Sequence, residues 1–431
     1  MTTYPRIDTS IHQSMPSFVL TEVVFIIVAS LAFLHAWTRP NNHPGGRRRH
    51  LHLYVFAIVG GCCSDLLFMH LPIVDNFWHA HATIMLTERL PLYILAVYAS
   101  FLYIPLACVW RCGLPRVAEA TLSGICTVAF YAPFDVVGIK FLWWTWHDSD
   151  TVVAERIVGV PVSSTMWVGV YSCMFALLFG IFLPSSHDTN MQNRSLLNDG
   201  TSLYNAVQHR RVPLCTISSL FRACSAALLS IPLMMVHMMM VQCLMGGALL
   251  PPPPPPTCAM LGLTLLAYGS LLLSSIADSA SNSQCHEALL ERAKLTSLAT
   301  GGKSSHWLVL AVLLHYGSLL FVARYFDPTL SVSTGIHQTF GPCGVDTTDY
   351  AGQTCQKYVC DVLEHHDFTF SCGNRPPPKR NVEARWYTIC GLPKDDMWVR
   401  HSSAYTLSGL CVFALLIGVR GIAKTQPTKR S

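Results

Sequence analysis

Charge is what this sequence has least of. Only 12% of its 431 residues are Asp, Glu, Lys or Arg, about half the share of an ordinary globular chain, while 51% are hydrophobic. Mean hydropathy is +0.39. That deficit excludes a conventional water-soluble domain and places the chain in the membrane class. Other absences narrow the function. There is no Gly-x-Ser-x-Gly elbow, Walker loop or dinucleotide fingerprint, which argues against the hydrolases and nucleotide enzymes known by those motifs. No basic patch with interleaved aromatics is present, so nucleic acid is not expected as a partner. No internal repeat supports the inverted-repeat logic of many secondary transporters. The first 16 residues are polar and the apolar run after them is span-length, so no cleavable signal peptide is expected. No pattern names a cofactor, and oligomeric state is not legible.

What is present is a series of apolar runs. A helix needs about 20 mostly apolar residues to cross a bilayer. Segments at 17–37, 51–72, 86–109, 117–138, 161–183, 214–240, 258–278, 305–325 and 403–420 qualify. The third and sixth are interrupted by Pro91 and Pro232. The expected fold is all-α, a polytopic membrane helix bundle of about nine spans in a lipid bilayer. Basic residues set the orientation. With the C-terminus in the cytosol, the loops carrying Arg39 and Arg47–Arg49, Arg111 and Arg116, Arg194, Arg210 and Arg211, and Arg292, Lys294 and Lys303 all fall inside. So does the tail with Arg420, Lys424, Lys429 and Arg430, against Arg6, Lys140 and Arg156 in the outer tail and short outer loops. The N-terminus is thereby expected outside or in a lumen, in the plasma membrane or an endomembrane.

The chain divides into a five-span region (1–183), a polar cytosolic loop (184–212), spans six to eight (213–325), a Cys-rich outer loop (326–402) and a final span with a basic tail (403–431). Six prolines at 251–256 would reach roughly 19 Å as a stiff polyproline spacer, or as a ligand for a Pro-binding domain. Five of 17 cysteines lie in the outer loop: Cys343, Cys355, Cys360, Cys372 and Cys390. An oxidising compartment would let four of them pair, with a connectivity that sequence does not fix. This loop reads as a small stapled cap with short strands around Phe368–Phe370 and Arg385–Ile389, serving as a lid over the bundle mouth or as a ligand-binding domain. The sequon at Asn193 falls on the inner side and should be unused.

Ionisable residues inside spans are costly and usually functional. Glu22, Asp65, His70, Glu88, Arg89 and Asp135 all gather towards the outer leaflet on this topology, with His79 and His81 nearby. Glu119 and Arg222 lie near inner ends and are expected to face the cytosol. Span six sets Met234, Met235, Met238, Met239 and Met240 around His237; packing explains this better than Cu(I). The densest stretch runs from Ala132 to Trp167. Pro133 and Gly138 bracket Asp135, so the backbone there should be kinked or closely packed. A carboxylate removed from water at such a place could serve as acid or base, or lock helices by pairing with Arg89 or Lys140. Glu88 carries the same choice. His147, Asp148 and Asp150 with His79-x-His81 could hold a divalent ion, but an interfacial polar loop is the simpler reading, and no metal is assigned. Trp143, Trp144 and Trp146 fit an aromatic belt at the membrane boundary or the wall of an apolar ligand.

Two resemblances attach to these residues. FWHAHATIMLTERLPLY, PFDVVGIKFLWWTWHDSD, TGIHQTFGPCG and WYTICG resemble an uncharacterised family of eukaryotic multi-pass membrane proteins with a domain of unknown function, over about Trp78–Pro393. More locally, Asp135, Gly138, Trp144, Trp146, Gly159, Val160, Pro161 and Trp167 are similar in pattern to integral-membrane carotenoid hydratases and lycopene-cyclase-like proteins. This chain differs from them in its Cys-rich loop, its extra spans and Ser164 at an expected amide position. The local resemblance implies protonation or hydration of a polyene by a desolvated acid beside an apolar tunnel. The expected function is binding or transforming a lipid or isoprenoid in an outer-leaflet cavity, with Asp135 and Glu88 catalytic. Trp144, Trp146, Pro161, Trp167, His147 and Asp148 would bind the ligand. A receptor-like or scaffold protein and a proton- or cation-coupled transporter are the alternatives.

Overall fold

A computed structural model describes residues 4–39, 46–71, 77–112, 114–146, 156–184, 217–244, 268–269, 271–274, 305–336, 341–348, 354–358, 368–373 and 387–418. Eight helices among them are long and apolar enough to cross a membrane. The chain is therefore an integral, polytopic membrane protein with an all-α bundle. After a short α1 (Ile11–Ser14), these are α2 (Pro16–Trp37), α3 (Arg47–His70), α4 (Tyr93–Val109), α5 (Arg116–Lys140), α6 (Val162–Phe182), α7 (Ile217–Leu244), α8 (Ser305–Tyr325) and α9 (Asp396–Gly418). The expected span at 258–278, the proline run and the 184–212 loop lie almost wholly outside the described residues.

Proline marks several of the entries. Pro16 opens α2, while Pro115 and Pro161 precede α5 and α6, where a fixed φ and a missing N–H cost a helix nothing. Helix α4 is the axis of the bundle: 83% of its span window is buried, against 28% for α9 and 33% for α7. It packs on α2, α3 and α5, while α6 joins α5 to α7 and α8 sits between α2 and α9. Helices α5 and α6 meet where a Cβ on Gly124 would stand 2.6 Å from the Gly169 carbonyl, the small-residue contact by which membrane helices associate.

One boundary differs from expectation. Residues 86–92 do not belong to a span. Thr87 Oγ1 accepts from the amides of Arg89 and Leu90, and the Leu86 amide donates to the Leu90 carbonyl, closing a tight turn before α4. Glu88 and Arg89 therefore sit on a loop at the end of the bundle, and α4 starts at Tyr93.

Two interior prolines, in α4 and α5, leave core carbonyls without their helical donors. Pro133 lacks the N–H that the Ala129 carbonyl would accept, and Tyr316 Oη of α8 donates to that carbonyl instead at 3.0 Å. The Phe130 carbonyl, next along, lies 2.9 Å from His315 Nε2, and the two rings stack at 3.9 Å. In α4, Pro105 likewise frees the Phe101 carbonyl, which faces the buried Thr127–Ser172 pair.

Short strands organise the same end as residues 86–92. Strand β1 (Arg6–Ile7) pairs with β3 (Ile84–Met85), β2 (Phe77–His79) with β4 (Trp144–Trp146), and β5 (Arg156–Ile157) with β6 (Val160–Pro161), all antiparallel. Above them a three-stranded sheet forms from β7 (Val332–Ile336), β10 (Phe368–Thr369) and β11 (Tyr387–Gly391), in the order β10-β11-β7. A Cys372–Cys390 disulfide staples this sheet, and Cys343 is also disulfide-bonded. A hairpin of β8 (Asp346–Thr348) and β9 (Thr354–Gln356), which carries Cys355, completes the described part of that region; Cys360 lies outside it.

Candidate functional site

The site grows from the β2–β4 pairing. His79 is in register with Trp144, and the Ala80 amide donates to the Trp143 carbonyl at 2.9 Å. Leu142 adopts φ 60°, a left-handed turn that reverses the chain out of α5 and drives the following tryptophans inward. Trp143, Trp144 and Trp146 are accordingly buried at 0, 3 and 8% exposure. They are core residues here, and the aromatic-belt reading does not apply. Gly138 makes this packing feasible, since a Cβ there would stand 2.1 Å from the Trp144 ring.

Around this aromatic block lie three buried carboxylates. Asp65 of α3 accepts a 2.5 Å hydrogen bond from Tyr98 Oη of α4. Its other oxygen, Oδ2, lies 3.9 Å from His79 Nε2; among the described residues it makes no hydrogen bond, and neither do the two His79 nitrogens or Tyr93 Oη. A single oxygen atom placed about 2.8 Å from both Asp65 Oδ2 and His79 Nε2 would bridge them at an angle of about 90°. Glu22 of α2 accepts from the Thr83 hydroxyl at 2.6 Å and the Thr83 amide at 3.1 Å. Asp135 is 1% exposed, and its one hydrogen bond among the described residues comes from Ser164 Oγ at 3.3 Å. Tyr93 lies within electrostatic reach of Glu22 and Asp65, and Tyr131 within reach of Asp65 and Asp135.

Neither ion pair expected for Asp135 forms. Arg89 instead stacks its guanidinium 3.3 Å over Trp78 and donates to the carbonyls of Met69 and Phe77. Glu88, half-buried in the 86–90 turn, is within electrostatic reach of His81. Glu119 also differs from expectation: it is 4% exposed and accepts from Trp110 Nε1 at 2.8 Å, so it is a core residue, whereas Arg222 is exposed. The methionines of α7 are split between buried Met234 and exposed Met239 and Met240, as packing requires. Pro161 is buried at the start of α6, and Trp167 stacks on Tyr171 one turn further on. His147, Asp148 and Asp150 lie outside the described residues, and among the described residues no group of three or more His, Cys, Asp or Glu could hold a metal ion.

The disulfide-stapled sheet touches the site's rim. The His81 amide donates to the Thr334 carbonyl of β7 at 2.8 Å, and Gly335, at φ 87°, leaves its Cβ position to the His81 ring. Burial, helped by the charge of Arg6, holds the His81 imidazole below its ordinary pKa, while Asp8 and Glu88 oppose that shift. Asp8 itself is held below the usual carboxylate range, chiefly by the Ser10 hydroxyl at 2.6 Å.

Sequence reasoning named Asp65, His79 and Asp135 one by one but missed Tyr98 and Tyr93. A signal existed: Tyr93, Tyr98 and Tyr103 recur every five residues along the most buried helix, and the latter two each bind an ionisable partner.

Among known proteins, residues 7–417 match the family described as Domain of unknown function (DUF7802). No curated protein and no solved structure matches the chain, so nothing there supports the local likeness to carotenoid hydratases and lycopene-cyclase-like proteins. Matched over nearly its whole length, this polytopic membrane protein belongs to the DUF7802 family.

Proposed function

We propose that the protein holds a lipid or isoprenoid carrying a polar oxygen among α3, α4, α5 and the β2–β4 pair, and that Asp65, His79 and Asp135 act on that oxygen. One observation carries the reading. Asp65 Oδ2, both His79 nitrogens and Tyr93 Oη are buried polar atoms without hydrogen-bond partners among the described residues, concentrated at one end of an apolar bundle. An unsatisfied buried polar group costs about 1–3 kcal/mol, and native folds keep such groups few. Several of them around one carboxylate make sense when a hydroxyl or carbonyl group satisfies them. His79 and Asp65 are suited to move a proton to or from that oxygen, with Tyr98 fixing the carboxylate. Trp144 and Phe134, with ring centroids 4.8 Å apart, supply an apolar wall beside Asp135. Pro161 and Trp167 would lie further along the ligand. Glu88 belongs at the rim with His81 and is given no catalytic part.

The test is lipid extraction. Wild type, Asp65→Asn and Asp135→Asn proteins are purified from the same cells, and their co-purifying lipids are compared by mass spectrometry. Wild type should retain a species at near-stoichiometric level that the variants lose or carry in altered form. Indistinguishable lipid profiles from folded variants would sink the proposal.

A second reading, proton- or cation-coupled transport, is favoured by the three buried carboxylates Glu22, Asp65 and Asp135 on membrane-spanning helices. Proteoliposomes with an internal pH dye separate the two. Asp65-dependent proton flux would speak for transport, and its absence alongside a bound lipid would speak for the first reading.

A further inference from the structure

We propose that the groove between α8 and α9, at the end that leads into the β10-β11-β7 sheet, holds one membrane phospholipid, with an acyl chain along the groove and its phosphate at Arg324. The groove shares no residue with the site around Asp65, so the two stand or fall separately. Two helical stripes build it. Gly317, Leu320, Phe321 and Arg324 recur at i, i+3, i+4 and i+7 on α8, and Val399 and Ser403 at i and i+4 on α9. Between them lies a cavity of about 440 Å³, within the range of roughly 300–1,000 Å³ usual for small-ligand sites. Gly317 leaves it open, since a Cβ there would meet no atom within 4 Å. Both helices are of membrane-spanning length, and Gly317 and Phe321 are exposed, so the groove faces hydrocarbon.

The charges at its mouth point to an anion. A cation in the last turn of α8 suits the helix dipole, which is the plainer use of Arg324. That helix end is already served, however. Lys394 Nζ donates to the Ala323 and Phe326 carbonyls at 2.9 and 2.6 Å, tying the entry of α9 to the end of α8. Arg324 and Lys394 are like charges within electrostatic reach of each other. Burial, helped by Arg324 and opposed by Asp327, holds the Lys394 ammonium below its ordinary pKa. The carboxylates at this end have uses of their own. Asp327 accepts from the Thr329 amide, Asp395 from the Trp398 amide, and Asp396 lies in the first turn of α9, where the dipole favours it. Arg324 is exposed and makes no hydrogen bond or ion pair among the described residues. A phosphate there would take the guanidinium's paired donors and offset the repulsion between the two cations.

The depth of Arg324 matches a headgroup. Tyr325, 74% exposed, stands 5.0 Å from the Phe321 ring at the end of the span, where aromatic side chains meet the membrane interface. Other occupants fit less well. Tyr268, a described residue of the expected span at 258–278, packs on His237 of α7 at 5.8 Å and so on a different helix. An apolar helix from a second copy would cover Arg324 and leave its charge without a partner, which a phosphate does not.

The test is native mass spectrometry of the full chain in detergent, titrated with phosphatidylglycerol, with a diacylglycerol of the same acyl chains, or with glycerol phosphate. Wild type should retain phosphatidylglycerol about fivefold better than the diacylglycerol, the scale on which one basic residue acts at a lipid headgroup. Arg324→Gln, at an exposed position, should erase that preference. Gly317→Leu, which adds a side chain where the space is open, should lower retention of both lipids. Equal retention of the two lipids by wild type would overturn the proposal, as would a preference unchanged in Arg324→Gln. Full retention by Gly317→Leu would take the acyl chain out of the groove. Displacement of phosphatidylglycerol by equimolar glycerol phosphate would show a free-anion site. A wild-type dimer that Gly317→Leu dissociates would give the groove to a second copy. Each of these last three results also removes the lipid assignment.

Discussion

The contact that serves the carbonyl freed by Pro133 can be measured. Pro133 leaves the Ala129 carbonyl without its helical donor, and Tyr316 Oη supplies one at 3.0 Å. If that is why the hydroxyl is there, its value depends on the proline. In the native background Tyr316→Phe strands a carbonyl in an apolar interior and should cost about 1 kcal/mol. Hydrogen bonds between membrane helices average about 0.6 kcal/mol and reach about 1.7 kcal/mol, and this one serves a carbonyl that Pro133 deprives of its helical donor. In Pro133→Ala the amide of residue 133 returns to the Ala129 carbonyl, and Tyr316→Phe should cost only a few tenths of a kcal/mol. The coupling in the double-mutant cycle should thus be roughly 0.5–1 kcal/mol. Reversible unfolding in mixed micelles, followed by circular dichroism, gives all four free energies. The same cost for Tyr316→Phe in both backgrounds would show that the hydroxyl does not stand in for the missing amide.

Further expectations follow from other contacts. Gly409→Ala places a Cβ 2.5 Å from the Ala129 carbonyl oxygen and 2.6 Å from the Tyr316 ring, and should lower stability in the same assay by about 1–3 kcal/mol. A neutral change would mean that α9 does not pack closely on the Ala129 carbonyl. Val158 holds φ 54° in the turn joining β5 to β6, a strained state for a β-branched residue, so Val158→Gly should raise the melting temperature by an amount equivalent to about 1 kcal/mol. A lower melting temperature would refute that strain. Breaking the Cys372–Cys390 bridge, which spans 18 residues, should loosen the β10-β11-β7 sheet by about 2–4 kcal/mol, seen as faster hydrogen exchange in β7, β10 and β11. Unchanged exchange would leave the bridge without structural weight. The pH dependence has a definite sign. His81 is held below 6.5, so the unfolded chain binds its proton first, and the stability due to neutral His81 is lost as pH falls below about 6.5. Asp8 acts in a lower window: its depressed pKa gives stability above 3.8 that is lost on further acidification. The protection of the His81 amide, taken as its exchange rate relative to the intrinsic rate at each pH, should therefore fall between pH 7 and pH 5 in wild type and stay constant in His81→Gln.

The helices were legible because each is a run of about 20 apolar residues, a pattern that bilayer thickness imposes directly. The start of α4 was not. Ile84–Leu90 is apolar enough to extend a helix, and the turn that prevents this depends on one hydroxyl, Thr87 Oγ1, accepting two amides. The tryptophans misled for a different reason. Trp at a span boundary normally marks the interface, but here the β2–β4 pairing, between residues nearly seventy positions apart, folds the Trp-rich strand under the bundle's end. Asp135, Pro133 and Gly138 were readable as a special backbone, and each has its contact: Ser164, the Tyr316 hydroxyl on the freed Ala129 carbonyl, and Trp144. Tyr98 was invisible as a partner of Asp65, because a helix crossing decides which tyrosine of α4 faces α3.

The most direct measurement of the proposed site is photolabelling. A diazirine-bearing isoprenoid alcohol is cross-linked to the protein in native membranes, and the labelled peptides are mapped by mass spectrometry. Labels should fall on the segments carrying His79, Tyr93–Tyr98 and Phe134–Trp146, and should be displaced by unlabelled alcohol and lost in Asp65→Asn. Labelling confined to the lipid-exposed faces of α7 and α9, unaffected by competitor or by Asp65→Asn, would contradict a ligand site at Asp65 and Asp135.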